Sequence, residues 1–379
     1  MNNNRIQLFF LGIFKLFSVV ALLYLFLSAI NILSVAFKLL GSDFSKSLIS
    51  TTANPFIGLL IGIISTALIQ SSSVTTSMVV GLVSAGSLTV TGAVPIVMGA
   101  NVGTTITSVM VSFGHIANKH EFRRAFAGAT MHDFFNLLAV LILFPIEMAT
   151  HFLQKTATFF SGIFYGSGVS GNYHSPIKAA SKIIGKSLKT LFMDRLMIPS
   201  QATGWIFLVI AFILIFLSLF LLVKVMRSVM LSRIERVLNQ FLNKNALLAM
   251  LIGVMITVLV QSSSITTSLL VPLFGAGVLS LESAFPITLG ANIGTTVTAL
   301  LASLAGNAAG LTIAFVHLLF NITGVLIIFP YRKIRRIPIY IAVRFARITS
   351  KRKYIAVLYV ITTFFIIPFA CIFISNLFK

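Results

Sequence analysis

The feature that most constrains this chain is a polar block that occurs twice inside sequence otherwise apolar enough for a membrane interior. Residues 70–105 read QSSSVTTSMVVGLVSAGSLTVTGAVPIVMGANVGTT and residues 261–296 read QSSSITTSLLVPLFGAGVLSLESAFPITLGANIGTT, aligned without a gap at an offset of 191 positions. The chain is therefore built on a duplication. Unsatisfied polar groups are costly in hydrocarbon, so helix-breaking polar sequence at bilayer depth is tolerated only where it is buried in protein or lines a cavity. This stretch is the expected functional centre.

Composition sets the class. Of 379 residues, 58% are hydrophobic and 9% charged, with a mean hydropathy of +1.04, against roughly 25% charged residues in a soluble domain. The fold class expected is an all-α polytopic membrane protein. The formal net charge of +21 sits in clusters between apolar runs, so it reads as a topological signal and not as a nucleic-acid surface. The two richest linkers are 224–244 (Lys224, Arg227, Arg233, Arg236, Lys244) and 332–353, with nine basic residues; both are placed on the cytoplasmic side. A lone cysteine, Cys371, excludes an intramolecular disulfide and a cysteine metal site. The first apolar run, to about Leu40, has no small-residue cleavage site after it and reads as an uncleaved helix.

Taken in order, residues 1–50 form a first transmembrane helix and 51–145 a first repeat. Residues 146–202 read as an outer loop or interfacial segment, and 203–240 as a linking helix. A second repeat spans 241–330, and 331–379 hold the basic cytoplasmic linker and a last helix. Phe56–Ile69 and Val74–Val83 are too short to span, which predicts a re-entrant helical hairpin or a discontinuous helix. Pro95 and Gly99-Ala100-Asn101 are expected to interrupt the following run. The match extends outward: MHDFFNLLAVLILFP (131–145) pairs with VHLLFNITGVLIIFP (316–330) at an offset of 185. Lys38 and Lys46 precede the first core and five basic residues the second, which points to entry from opposite sides and so to two inverted-topology repeats.

What the cores supply is oxygen. Gln70, Ser71, Ser72, Ser73, Thr75, Thr76 and Ser77, with Asn101, Thr104 and Thr105, recur as Gln261, Ser262, Ser263, Ser264, Thr266, Thr267 and Ser268, with Asn292, Thr295 and Thr296. Hydroxyls and N–H groups at half-helix N-termini suit an oxyanion, and carbonyl and amide oxygens suit a hard cation such as sodium. No Lys or Arg lies in either core, so the pocket is expected to lack a fixed cation. The glycines of the GAN(V/I)G segments serve close packing or backbone ligation. His132 and His317 are a corresponding pair, read as interhelically bonded rather than as metal ligands. Asp133 stands in a membrane helix where the second copy has Leu318, either ion-paired to Arg123 or Arg124 or serving as a cation ligand.

The two QSSS blocks, the two GAN(V/I)GTT blocks, EFRRAFAGAT (121–130) followed by His132-Asp133-Phe134-Phe135-Asn136, and the late YIAVLY (354–359) resemble the type II sodium-dependent phosphate cotransporters, over nearly the whole chain. The resemblance implies sodium-driven uptake of inorganic phosphate between two inverted repeats, with Na+ as co-transported ion and no tightly bound cofactor. It assigns phosphate to Gln70, Ser71, Ser72, Ser73, Thr75, Gln261, Ser262, Ser263, Ser264 and Thr266. It assigns sodium to Asn101, Thr104, Thr105, Asp133, Asn136, Asn292, Thr295, Thr296 and Asn321. Ala127, Ala129 and Asp133 resemble the electrogenic members. His115, Asn118 and Ala291 depart from the vertebrate pattern and put one sodium site in question. The short 165–200 stretch stands where vertebrate members carry a large disulfide-bonded outer loop, and the chain is expected to end one helix before theirs, without their cytoplasmic tail, as in a bacterial relative. Expected partners are phosphate, sodium ions and the lipid bilayer of a plasma (bacterial inner) membrane, with a homodimer as one assembly and no nucleic acid. The N-terminus is expected inside and the C-terminus outside. Other readings are a symporter of another small oxyanion, a passive channel, and an intramembrane hydrolase, the last disfavoured because the duplicated serines lack a base partner.

Overall fold

The computed structural model describes residues 2–166, 176–241 and 245–377, all in helices and short connections with no strand among them. Most of the glycine-rich stretch 162–171 and the side chains of Lys178, Arg227, Arg233, Arg236 and Lys244 lie outside the described residues. The chain opens with α1 (Asn2–Leu40), apolar on all sides, and an amphipathic α2 (Ser42–Thr52). Helix α3 (Pro55–Ile69) follows at 100° to α2, with Asn54 capping its first turn and Pro55 at the first helical position, where a missing N–H costs nothing. At about 1.5 Å per residue, the 15 residues of α3 fall short of the hydrocarbon thickness of about 30 Å. α4 (Ser72–Ser84) turns back from it as the second arm of a hairpin.

Helices α5 (Val90–Gly103) and α6 (Ile106–Ser112) form one span broken at Thr104-Thr105. The break is not where Pro95 and Gly99 were expected to make it. Pro95 lies within helix, and Gly99 is an approach point: a Cβ there would lie 1.9 Å from the Leu59 carbonyl oxygen of α3. α7 (Lys119–Thr150) is the long helix that crosses the site, and Glu147 near its end caps α8 (Phe152–Gly166) through the Leu153 and Gln154 N–H groups. The expected outer loop is thus largely helical, with α9 (Pro176–Lys189) packed on α1.

The linking helix α10 (Ser200–Phe241) packs along α1. The second copy then repeats the first: α11 (Ala246–Val260), α12 (Ser263–Ala276), α13 (Leu281–Ser303) and α14 (Ala308–Ile328). α13 runs unbroken where α5 and α6 are interrupted. The expected basic linker is itself a helix, α15 (Arg332–Thr349), lying against α7; five of its six basic residues, all but the half-buried Arg335, share one side, which leaves an apolar side to pack. α16 (Tyr354–Ile361) and α17 (Ile367–Leu377), joined by a π-turn, form the last span. Among the described residues seven helices are long and apolar enough to cross a membrane.

The two copies use the same joints. Gly62, Gly99 and Gly103 let α3 and α5 meet backbone to backbone, and Gly253, Gly290 and Gly294 do so for α11 and α13. Of the two readings left open for these glycines, close packing is the one their geometry accounts for. Each hairpin's second arm docks on the other copy: α4 on α13 and α14, α12 on α6 and α7. Asn307 donates to the Ser84 carbonyl at the end of α4 (3.0 Å), and Arg124 donates to the Gly275 carbonyl at the end of α12.

Candidate functional site

Both QSSS blocks break their hairpins in the same way. Gln70 and Gln261 take left-handed backbone conformations (φ 57° and 58°), which non-glycine residues adopt only at a cost of order 1–3 kcal/mol. Ser71 and Ser262 then cap α4 and α12, each hydroxyl accepting the N–H three residues on at 3.3 Å. Inside each hairpin a threonine pair ties the arms, Thr66 to Thr75 at 3.0 Å and Thr257 to Thr266 at 2.9 Å. Thr75 and Thr266, expected to hold phosphate, are therefore engaged in bracing the hairpins.

The two tips open onto one cavity of about 420 Å³, lined from the first copy by Gln70, Ser71 and Ser73 and from the second by Gln261, Ser262 and Ser264. Ser72 and Ser263 are buried behind this lining; the Ser263 N–H donates to Thr295 Oγ1 at 3.2 Å. The N-termini of α4 and α12 bring to this cavity positive dipole ends and N–H groups without intrahelical partners, the ordinary equipment of an oxyanion site. Two lining residues were missed from sequence. Thr107 lines the cavity with a buried hydroxyl that has no hydrogen-bond partner among the described residues, and Lys224 of α10 lines it too. The expectation of a pocket without Lys or Arg is thereby corrected. Lys224 falls at the end of the apolar part of α10, Ser200–Met226, where a charge in sequence reads as a membrane boundary.

A second polar centre joins α5, α7 and α13. The His132 imidazole meets Asn292 Oδ1 through Nε2 (2.7 Å), Asn292 Nδ2 donates to Asn136 Oδ1 (2.7 Å), and Asn136 Nδ2 donates to the Asn101 carbonyl (2.9 Å). All four side chains are buried. Asp133 beside them takes hydrogen bonds from the hydroxyls of Thr105 (2.8 Å) and Tyr359. It makes no ion pair with Arg123 or Arg124, and Arg124 is committed to the end of α12. Tyr359 comes from the last span, more than two hundred positions away, and no local pattern marks it as a partner of Asp133.

The remaining predicted residues are held locally. Thr104 and Thr296 bond carbonyls of their own helices. The departures at His115 and Asn118 serve the start of α7: Asn118 caps the His120 and Glu121 N–H groups, and His115 meets Glu121 at 3.3 Å.

The twin of the second centre is unmade. His317 and Asn321 occupy the places of His132 and Asn136 and are equally buried, yet neither ring nitrogen of His317 nor Asn321 Oδ1 has a hydrogen-bond partner among the described residues. Asn321 Nδ2 bonds only the His317 carbonyl of its own helix. Stranding a buried polar group costs about 1–3 kcal/mol. Asn136→Ala strands both Asn292 Nδ2 and the Asn101 carbonyl and should lower stability by about 2–6 kcal/mol on that scale; Asn321→Ala should cost less than about 1 kcal/mol. Thermal unfolding of the two purified variants side by side checks this, and equal losses would contradict it.

Comparison with known proteins places these features. The chain is 35% identical to human sodium-dependent phosphate transport protein 2B over 96% of its own length and 66% of that protein's. It is 34% identical to the mouse 2A protein over 92% of its length and 66% of that protein's. It thus spans just under two thirds of the length of these relatives. No solved structure matches it. The family profile described as Na+/Pi-cotransporter matches residues 25–169 and 214–351, the two halves that carry the duplicated hairpins, and the chain belongs to this family.

Proposed function

We propose that this chain is a transporter, not an enzyme, and carries inorganic phosphate across the membrane together with sodium ions. The observation that carries this reading is the cavity shared by the two QSSS tips. Four serines and two glutamines from separate copies converge there with two helix N-termini, an arrangement suited to a small tetrahedral oxyanion. The hydroxyl and amide oxygens of the α5–α7–α13 centre, with Asp133 as the one carboxylate, form the set suited to a hard cation. The sharing of one cavity by two copies argues against a single-nucleophile hydrolase.

Alternating access fits the unequal twins. In the described state the His132–Asn292–Asn136 set is engaged and the His317–Asn321 set is not. In the opposite-facing state the second set engages, so each state satisfies polar groups that the other leaves stranded, and the two stay close in free energy. The repeats are inverted on this reading, with the basic α15 and the start of α7 inside.

Purified protein in liposomes should take up radiolabelled phosphate under an inward sodium gradient and not under a potassium gradient. Ser73→Trp and Ser264→Trp should each cut that uptake at least tenfold, because each tip supplies half of one cavity. Normal uptake by either variant would separate the tips from the site, and sodium-independent uptake would sink the proposal.

A further inference from the structure

A second polar cavity lies away from the QSSS tips, where α15 crosses the start of α7 and the end of α12. It measures about 650 Å³ and brings together Arg123, Arg124 and Arg347 with one carboxylate, Glu282. Three guanidinium groups against one carboxylate leave a net charge of plus two. Arg124 is bound to the Gly275 carbonyl; Arg123 and Arg347 are exposed and make no ion pair among the described residues.

Helix α15 shows what the surroundings of this cavity are. At about 100° per residue, its surface divides into three stripes. Pro338, Ile339, Ala342, Ala346 and Thr349 are buried in the protein. Next to them an apolar stripe carries Ile337, Ile341 and Ile348, each 40% exposed or more. The third stripe carries Arg332, Lys333, Arg336, Arg344 and Arg347, all exposed. A helix with one face in protein, one apolar and one basic lies at the membrane surface, its isoleucines in the acyl region and its cations among headgroups. None of the nine basic residues of 332–353 has a carboxylate partner among the described residues. Arg335 and Arg344 instead lie over the rings of Phe329 and Tyr340, at 5.0 and 4.6 Å.

We infer that the Arg123–Arg124–Arg347 cavity binds the phosphodiester headgroup of an anionic phospholipid, whose first acyl methylenes lie on the apolar walls of that cavity. Guanidinium forks match phosphate oxygens in pairs, and headgroup depth is where α15 holds Arg347. The walls beside the arginines are apolar: Ala127, Phe274, Val278, Leu279 and Val343. A free inorganic anion gains nothing from them, whereas the first acyl methylenes of a lipid do. A bound lipid there would bridge α7, α12 and α15, and so join a hairpin arm of the second copy to the long helix of the first.

Native mass spectrometry of the full-length purified protein, titrated with phosphatidylglycerol and with phosphatidylcholine of the same chains, tests this. The wild-type protein should retain phosphatidylglycerol at least tenfold more strongly than phosphatidylcholine, and millimolar inorganic phosphate should not displace it. Arg123→Gln and Arg347→Gln, made separately at exposed positions that spare the Arg124 contact, should each lower phosphatidylglycerol retention at least threefold with unchanged unfolding temperature. Equal retention of the two lipids by the wild-type protein would overturn the inference without recourse to any variant. So would undiminished retention in both variants, or displacement by inorganic phosphate, which would make the cavity a free-anion site.

Discussion

Asp133→Asn protein is expected to move phosphate with sodium while carrying no net charge. With neutral side chains, a phosphate dianion and two sodium ions make a neutral cargo. Asp133 adds one negative charge to the α5–α7–α13 centre, where it is fully buried and held by the hydroxyls of Thr105 and Tyr359. Burying that carboxylate unpaired is costly, so on the proposed function it is expected to cross loaded with a further cation and return empty. Each cycle would then carry about one positive charge inward, and the membrane potential would contribute about 2.3 kcal/mol per 100 mV to accumulation. The twin position is Leu318, so the second copy contributes no such charge. Current and radiolabelled uptake measured on the same liposomes should give about one charge per phosphate for the wild-type protein and near zero for the variant. An unchanged ratio would make Asp133 a structural partner of Tyr359 only.

Gly99→Ala and Gly290→Ala are expected to lose folded protein, each to a similar degree. The added Cβ would lie 1.9 Å from the Leu59 carbonyl oxygen in the first case and 2.0 Å from that of Met250 in the second. These oxygens belong to helix backbone and cannot rotate away, so α3 and α5, or α11 and α13, must separate. Overpacking costs about 1–3 kcal/mol where side chains can adjust, and here the obstacle is backbone, so the loss should reach or exceed the upper end. Gly114→Ala, with nothing within 4 Å of its Cβ position, should be neutral. The yield of monodisperse protein and its unfolding temperature decide between these outcomes, and a well-folded Gly290→Ala protein would contradict the close helix approach.

The duplication, the hairpins and their breaks were legible in the sequence because each rests on local chemistry. A short apolar run ending in Gln-Ser-Ser-Ser has few other ways to be a helix end followed by a capped helix start. Pro95 misled for a related reason. Proline breaks an isolated helix, but neighbouring helices hold a membrane helix together around it. The linker 332–353 misled because charge density alone suggests a loop, whereas the spacing of its apolar residues makes a helix with a side to pack on α7. Lys224, Thr107 and Tyr359 were beyond reach. Each joins its site by a contact between elements distant in sequence, and nothing in the neighbourhood of Lys224 separates a boundary lysine from one lining a cavity.

The loss of symmetry between the centres was also invisible. His132-x-x-x-Asn136 and His317-x-x-x-Asn321 are the same pattern, and sequence predicts the same bonds for both. In this structure the bonds are made in the first set and not in the second.

The central claim is that phosphate and sodium occupy one coupled site between the two copies. Its most direct test is the phosphate dissociation constant of the purified protein at several sodium concentrations, with Lys224→Gln in parallel. A dianion in a cavity with one lysine at its wall needs cations to offset its desolvation, so sodium must raise phosphate affinity, and by linkage phosphate must raise sodium affinity by the same factor. The account predicts at least a tenfold fall in the dissociation constant between sodium-free and sodium-saturated protein, in the wild type and in Lys224→Gln alike. A phosphate affinity independent of sodium, and lost in Lys224→Gln, would contradict it and make the lysine the counter-charge.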